Sequence, residues 1–549
     1  MVSDMKKYRL KKFYLHPITS YIILTLLVVL FSALFKLFDA QVSYKIVDLS
    51  TYSYNQVNVV IENLLSYTGL KYIISNATKN FISFAPLSTY LIAALGVCIC
   101  ESSGYLDAIC KKITNRISNK FLTFLVIFIS TLSSLINEVG FVILIPIAAI
   151  LFKNKKRNPM AGVCAAFAGT AFGYGTTCFV GSQEVFLIPY TKAAARMLDA
   201  TFHVSLTSNL YIMIIFSIVL SIIGTIIIEK ILIKKLGRYR EESKEENSIE
   251  VIDLDEEDIW VNCYKQKMQF LDEEDIEQKR LKDKIYEDKG FKLASIGSFI
   301  FILIFVYSLI PGLPLSGLLL DMNESTYLDQ IFGANSYFQD GFSFMISLLL
   351  IISGLLYGFG SKKFTNDKEV INNTNDYLLQ IGQMMLLLFV ASQFIAIYKM
   401  TNFGNYIAGV LVNFLGGFEF GGLPFLIISI LVVVLADIFF TNTQSKRIIF
   451  STVMVPVLMQ SNFAPQFVQF VYRGADSIAN GISPLFAYFV IYIGYLNIYN
   501  TKKEKPVTMG EGIKYMLPYF AIIGLTWILL LVGYFIIGLP IGPGVYPVL

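Results

Sequence analysis

FLTFLVIFISTLSSLINEVGFVILIPIAAILF, residues 121–152, carries a single charged side chain, Glu138. Basic clusters flank it on both ends: Lys111, Lys112, Arg116 and Lys120 before it, Lys153, Lys155, Lys156 and Arg157 after it. Short loops rich in Lys and Arg stay on the cytoplasmic side of a membrane. A single crossing by 121–152 would strand one cluster outside. Two short apolar arms broken at Asn137-Glu138 read instead as a re-entrant hairpin that enters and leaves on the cytoplasmic face. Irregular backbone at membrane depth is tolerated only where protein encloses it or it lines a cavity. This one stretch therefore predicts a polytopic membrane protein with an internal site.

The rest of the chain agrees. Of its 549 residues, 55% are hydrophobic and only 15% charged, where a soluble protein is about a quarter charged. The net charge of +4 sits in short clusters between apolar runs, a pattern that sets membrane orientation and excludes a nucleic-acid-binding surface. Membrane segments are predicted near 18–38, 82–102, 119–135, 137–152, 159–200, 205–233, 292–311, 341–359, 376–398, 422–440, 448–460, 466–499 and 514–538. Lys6, Lys7, Arg9, Lys11 and Lys12 hold the N-terminus in the cytoplasm, and Lys230, Lys234, Lys235, Arg238 and Arg240 return the chain there. The loop 311–340 has no Lys or Arg and is external, whereas Lys362, Lys363, Lys368, Lys502, Lys503, Lys505 and Lys514 are inside. For these sides to hold, 422–460 must enter and leave from outside, broken near Asn442–Arg447. It is a second hairpin, inverted relative to the first.

The expected fold is thus all-α: a polytopic membrane protein of nine transmembrane helices plus two opposed re-entrant hairpins. Two crossings, a hairpin, an interrupted crossing and a final crossing occur in 18–233 and recur from the opposite side in 341–538. Inverted repeats with broken helices meeting at mid-membrane are the architecture of secondary transporters. The predicted division is a first repeat at 1–235, a cytoplasmic charged loop at 236–290, a connecting helix and external loop at 291–340, and a second, inverted repeat at 341–549. The stretch 40–80 is expected to hold a short interfacial helix. The apolar run 21–37 lacks a cleavage site and reads as a retained helix. Six scattered cysteines read as small buried residues, and His16 and His203 as interfacial.

Charges in the hydrocarbon region cost roughly 2.5–3.5 kcal/mol each, so each asks for an explanation. Glu138 lies at the first hairpin break. Glu184 follows a glycine-rich run and sits within Gly181-Ser182-Gln183-Glu184; Asp437 lies on the entering arm of the second hairpin, whose tip is Asn442-Thr443-Gln444-Ser445-Lys446-Arg447. Arg473 and Asp476 are three apart and share a helix face, which Asn480 extends by a turn. The functional reading gives Arg473 to a substrate anion and Asp476 to a coupling proton or cation. The bland one is an internal Arg473–Asp476 salt bridge, with Lys446 and Arg447 reaching the external interface. An intramembrane hydrolase using Asp437 and Asp476 is the competing class. No GxGD, HExxH, GxSxG or phosphate-loop motif supports an enzyme.

At FAPLSTYLIAALGVCICESSGYLDA (84–108), NEVGFVILIPIAAILF (137–152), NPMAGVCAAFAGTAFG (158–173), VASQFIA (390–396) and above all YRGADSIANGISPLFAYF (472–489), the chain resembles the p-aminobenzoyl-glutamate transporter (AbgT) family. The resemblance implies nine helices, two opposed hairpins, a homodimer in a bacterial inner membrane, and elevator-type movement. It implies import of p-aminobenzoyl-glutamate, a folate breakdown product, or export of sulfonamide antimetabolites, coupled to protons or sodium. Carried over by position, Pro465, Arg473 and Asp476 match family site residues. The hairpin residues Asn137, Asn442, Gln444 and Arg447 complete the expected substrate set, and Asp437, Glu184, Glu138 and Asn480 join Asp476 in coupling. No cofactor is expected beyond a sodium ion at Asp437 and Asp476. Three positions depart from the family pattern: Glu184 replaces a usual Asp, Asp437 a usual Asn, and Arg447 a usual Trp. Loss of that aromatic surface favours a smaller or more anionic carboxylate held by Arg447 and Arg473 together, as in a dicarboxylate–cation symporter of the same fold.

Overall fold

The computed structural model describes residues 15–49, 51–136, 138–237, 273–333, 335–418, 421–440, 443–502 and 505–549. The hairpin residues Asn137 and Asn442 lie outside these, as do the basic N-terminal cluster and most of the acidic loop. The structure is predominantly helical. Seven helical stretches among the described residues are long and apolar enough to cross a membrane.

The chain opens with α1 (Pro17–Leu37), a strand pair β1 (Gln41–Val47) and β2 (Tyr54–Val60), and α2 (Tyr67–Ile82). The strand pair corrects the all-α expectation. Gln41-Val42-Ser43-Tyr44-Lys45-Ile46-Val47 alternates polar and apolar residues, which suits a half-buried strand. It pairs antiparallel with β2 in unbroken register from Gln41–Val60 to Val47–Tyr54. The turn is closed by Asp48, whose carboxylate accepts from the Thr51 N–H at 3.0 Å and from Asn55 Nδ2 at 2.8 Å. The one helix that begins within 40–80 is α2, and the residues before it form a ribbon.

Next come α3 (Ala85–Ser102), α4 (Tyr105–Arg116), α5 (Asn119–Leu132), α6 (Gly140–Asn154), α7 (Pro159–Phe172), α8 (Ser182–Arg196) and α9 (Leu210–Ile227). A π-turn extends α9 into the short α10 (Ile233–Leu236). The 35-residue α11 (Glu273–Tyr307) runs unbroken from the charged loop into a span, across the boundary expected at 290. The short α12 (Tyr327–Phe332), α13 (Tyr337–Gly360), α14 (Asp367–Met400), α15 (Phe403–Gly416), α16 (Gly422–Ile438), α17 (Thr443–Gln460), α18 (Pro465–Asn480), α19 (Phe489–Ile498) and α20 (Met509–Ile537) complete the order.

The element order repeats. In the first half a long helix, α3, ends at a left-handed residue (Gly104, φ +78°) and is followed by the short α4. In the second half α14 ends at Asn402 (φ +61°), followed by the short α15. Helix pairs α5–α6 and α16–α17 come next, then broken pairs α7–α8 and α18–α19, then one long helix. The breaks are chemically specified. A Cβ on Gly140 would lie 2.5 Å from Ser133 Cβ, so only glycine lets α6 start against the turn that ends α5. Close helix contacts elsewhere also rest on small residues, the usual solution in lipid. A Cβ on Gly360 of α13 would lie 2.6 Å from Gly290 Cα of α11.

Candidate functional site

Every residue of α18 is buried, although it holds six polar residues: Gln466, Gln469, Arg473, Asp476, Ser477 and Asn480. At 3.6 residues per turn these fall within an arc of about 100°. A fully buried polar stripe needs partners along its length, and the surrounding breaks supply many of them.

Arg473, 1% exposed, is met by Glu184. This carboxylate is in the first turn of α8, where one oxygen accepts from the Gly181 N–H at 2.9 Å and caps the helix. The other forms an ion pair with Arg473 Nη1, which also lies 3.4 Å from Met213 Sδ on α9. The opposite edge of the guanidinium, Nε and Nη2, is buried without a hydrogen-bond partner among the described residues.

Asp476 is met by Arg447 of α17, through Nη2 in an ion pair and through Nε at 3.0 Å. The salt bridge weighed from spacing alone, Arg473 with Asp476, is not the one that forms. Each crosses to another element. Nor does Arg447 reach the external interface, as it is 1% exposed. Its Nη1 donates to Gln183 Oε1, and its guanidinium lies 5.6 Å from the Tyr174 ring centre. Gln183 Nε2 donates to Tyr174 Oη at 3.0 Å, and that hydroxyl donates to Glu138 Oε1 at 3.0 Å. A continuous hydrogen-bonded chain thus joins the break after α5 to α18, through the α7–α8 break and α17.

The structure brings together Glu138, Glu184, Arg447, Arg473 and Asp476 from the expected set. Pro465 opens α18 two turns before Arg473, and Asn480 closes it with Nδ2 unpartnered among the described residues. Asp437 is buried in the last turn of α16, and Gln444 lies in the first turn of α17. Tyr174 and Gln183 were missed because uncharged residues in an apolar segment raise no flag. Gln466 and Gln469 were missed likewise, although their spacing from Arg473 extends the stripe. Backbone approaches closely here: a Cβ on Gly175 would lie 2.6 Å from Ser477 Oγ and 3.0 Å from the Arg473 carbonyl. Chemically, the arrangement presents a guanidinium whose Nε–Nη2 edge is unpartnered among the described residues, beside two buried ion pairs. Arg447, the second arginine expected at the site, is engaged here by Asp476 and Gln183.

The family model described as "AbgT putative transporter family" matches residues 11–260 and 261–549. The p-aminobenzoyl-glutamate transport protein of Escherichia coli (strain K12) is 27% identical over 489 residues, covering 89% of this chain and 87% of that protein. Among solved structures, the Alcanivorax borkumensis YdaH transporter is 24% identical, with a TM-score of 0.45, covering 96% of this chain and 100% of that one. Neisseria gonorrhoeae MtrF, described with a class of antimetabolite efflux pumps, is 29% identical, with a TM-score of 0.44, covering 97% and 98%. A family match from end to end joins the polar stripe and paired helix breaks to one conclusion: this chain belongs to the AbgT family of membrane transporters.

Proposed function

We propose that the protein is a secondary active transporter of a carboxylate-bearing small molecule, p-aminobenzoyl-glutamate or a relative of it, driven by a proton or sodium gradient. The observation that carries this is the Nε–Nη2 edge of Arg473, buried and unpartnered among the described residues. Leaving a buried donor unsatisfied costs about 1–3 kcal/mol, and this edge has the planar geometry that receives a carboxylate in two parallel hydrogen bonds. The name of the Escherichia coli relative supports the aminobenzoyl-glutamate choice. Asp476 is the coupling group in this reading. A proton or cation on its carboxylate releases Arg447, and the exchange of partners links ion occupancy to the substrate cavity.

The topology that goes with it is nine crossings in an inner membrane, with a cytoplasmic N-terminus. Seven long apolar helices and two crossings assembled from α7–α8 and α18–α19 make up that number, with α5–α6 and α16–α17 as opposed hairpins. The halves 1–235 and 341–549 are the two repeats, joined by the charged loop and α11. The left-handed residues Gly104 and Asn402 stand at matching places, where short helices link long ones to the hairpins, and support elevator-type movement between two parts of a homodimer subunit.

The test is uptake into proteoliposomes of p-aminobenzoyl-glutamate, and of small dicarboxylates, under imposed proton or sodium gradients. Gradient-dependent accumulation of the aminobenzoyl compound is expected. Failure of every carboxylate to accumulate under either gradient would overturn the reading.

A further inference from the structure

We infer that Gln469 is a specificity-determining residue that reads a hydrogen-bond donor on the carbon next to the substrate carboxylate. The inference rests on Arg473 as the carboxylate anchor.

Gln469 lies four residues before Arg473 on α18, so the two share a face about 6 Å apart along the axis. It is 1% exposed, yet its Oε1 receives no hydrogen bond from the described residues. Its neighbours are accounted for differently. Gln466, a turn away, also has an unpartnered Oε1 among the described residues, but its Nε2 donates to the His203 carbonyl at 3.4 Å and holds the side chain there. Ser477 donates to the Arg473 carbonyl at 3.1 Å. Tyr472, on the adjoining face, shares a hydrogen bond with Thr191 at 2.9 Å. Gln469 makes no side-chain hydrogen bond with the described residues, and Arg473 beside it has Nε and Nη2 unpartnered among them.

The two unmet needs are complementary in sign. Arg473 offers N–H groups and wants an anion; Gln469 offers a carbonyl oxygen and wants an N–H or O–H. A molecule that satisfies both carries a carboxylate with a donor on the adjacent carbon, as a 2-amido acid does. A plain aliphatic acid fills the fork and leaves the glutamine carbonyl orphaned. Sites built around a buried polar group reject analogues that lack its partner, because the group is then left unpaired.

The test uses p-aminobenzoyl-glutamate and its ester isostere, in which oxygen replaces the amide N–H. Binding of each is measured by calorimetry on purified wild type, Gln469→Leu, Gln469→Met and the double variant Arg473→Ala/Glu184→Gln. The wild type should bind the amide at least tenfold more tightly than the ester. Both Gln469 variants should lose that preference through weaker binding of the amide, with the ester unchanged. Their melting temperatures should be unchanged or higher, since no partner is stranded, whereas a structural glutamine would lower them. Equal binding of the two compounds by wild type, or an undiminished preference in the Gln469 variants, overturns the proposal. Full binding by the Arg473→Ala/Glu184→Gln variant overturns the anchor instead. Binding of neither compound to wild type overturns both.

Discussion

Arg473 and Glu184 form a buried pair, and the consequence of removing one member differs from that of removing both. Breaking a buried pair costs about 3–5 kcal/mol because the remaining charge is stranded. Arg473→Ala alone should therefore lower stability as well as binding. Arg473→Ala with Glu184→Gln should restore the melting temperature while substrate affinity stays at least 100-fold down. Arg473→Lys should retain part of the affinity, since a planar fork becomes a point charge. Native affinity in the folded double variant would remove Arg473 from the site.

The same logic changes what is expected of the hairpin tip. Arg447→Trp offers a ring surface for an aminobenzoyl group, but it also strips Asp476 of its guanidinium partner. Combined with Asp476→Asn, it should fold and favour aminobenzoyl compounds over dicarboxylates in a competition assay. Asp476→Asn alone should abolish gradient-driven accumulation while exchange at equal concentrations survives, because exchange moves no net ion. Driven uptake and exchange measured on one proteoliposome preparation check this; normal driven uptake would place coupling elsewhere.

At the scale of elements, α18 is the piece on which the others converge. Its polar stripe faces the site, and its opposite flank packs on α20. A Cβ on Gly474 would lie 2.3 Å from Cζ3 of the Trp527 ring, which is itself fully buried and packed on Phe216 and Phe470. A rigid ring in a dense core cannot give way cheaply. Gly474→Ala should destabilise by about 1–3 kcal/mol, seen as a lower melting temperature in detergent; an unchanged melt would show that α18 has slack against α20. The β1–β2 ribbon packs on neighbouring elements. The Val47 N–H donates to Thr452 Oγ1 of α17 at 3.1 Å, and Tyr44 packs so closely that a Cβ on Gly409 of α15 would lie 2.6 Å from its ring.

At the scale of the whole molecule, the two-fold repetition makes a prediction independent of substrate. Single cysteines placed beside Lys112 and beside Lys156 should both label from the cytoplasmic side in oriented vesicles, because the proposed topology makes α5 and α6 a hairpin. Labelling of either from outside would break the inverted-repeat topology.

Much of this was legible in the chain itself. Hydrophobic runs and clusters of Lys and Arg respond to the bilayer alone, so the segments, the breaks at 137–138 and near 442, and the repeated order follow from composition and position. Glu138, Glu184, Arg447, Arg473 and Asp476 stand out for the same reason: a charge in an apolar segment is costly wherever it ends up. The bilayer says nothing about partners. Which carboxylate meets which guanidinium depends on how α8, α17 and α18 pack, and folding chose Glu184 for Arg473 and Arg447 for Asp476 over the pair adjacent in sequence. Tyr174, Gln183 and Gln469 escape a reading that weighs only charges, although a buried amide or hydroxyl also needs a partner. The ribbon at 41–60 was hidden because its alternation is short and the surfaces it covers, on α8, α15 and α17, come from distant parts of the chain. The sequence determined that charges would be buried near two helix breaks; tertiary packing alone decided their pairing and left the Nε–Nη2 edge of Arg473 without a partner among the described residues, because pairing is set by distances between elements far apart in the chain.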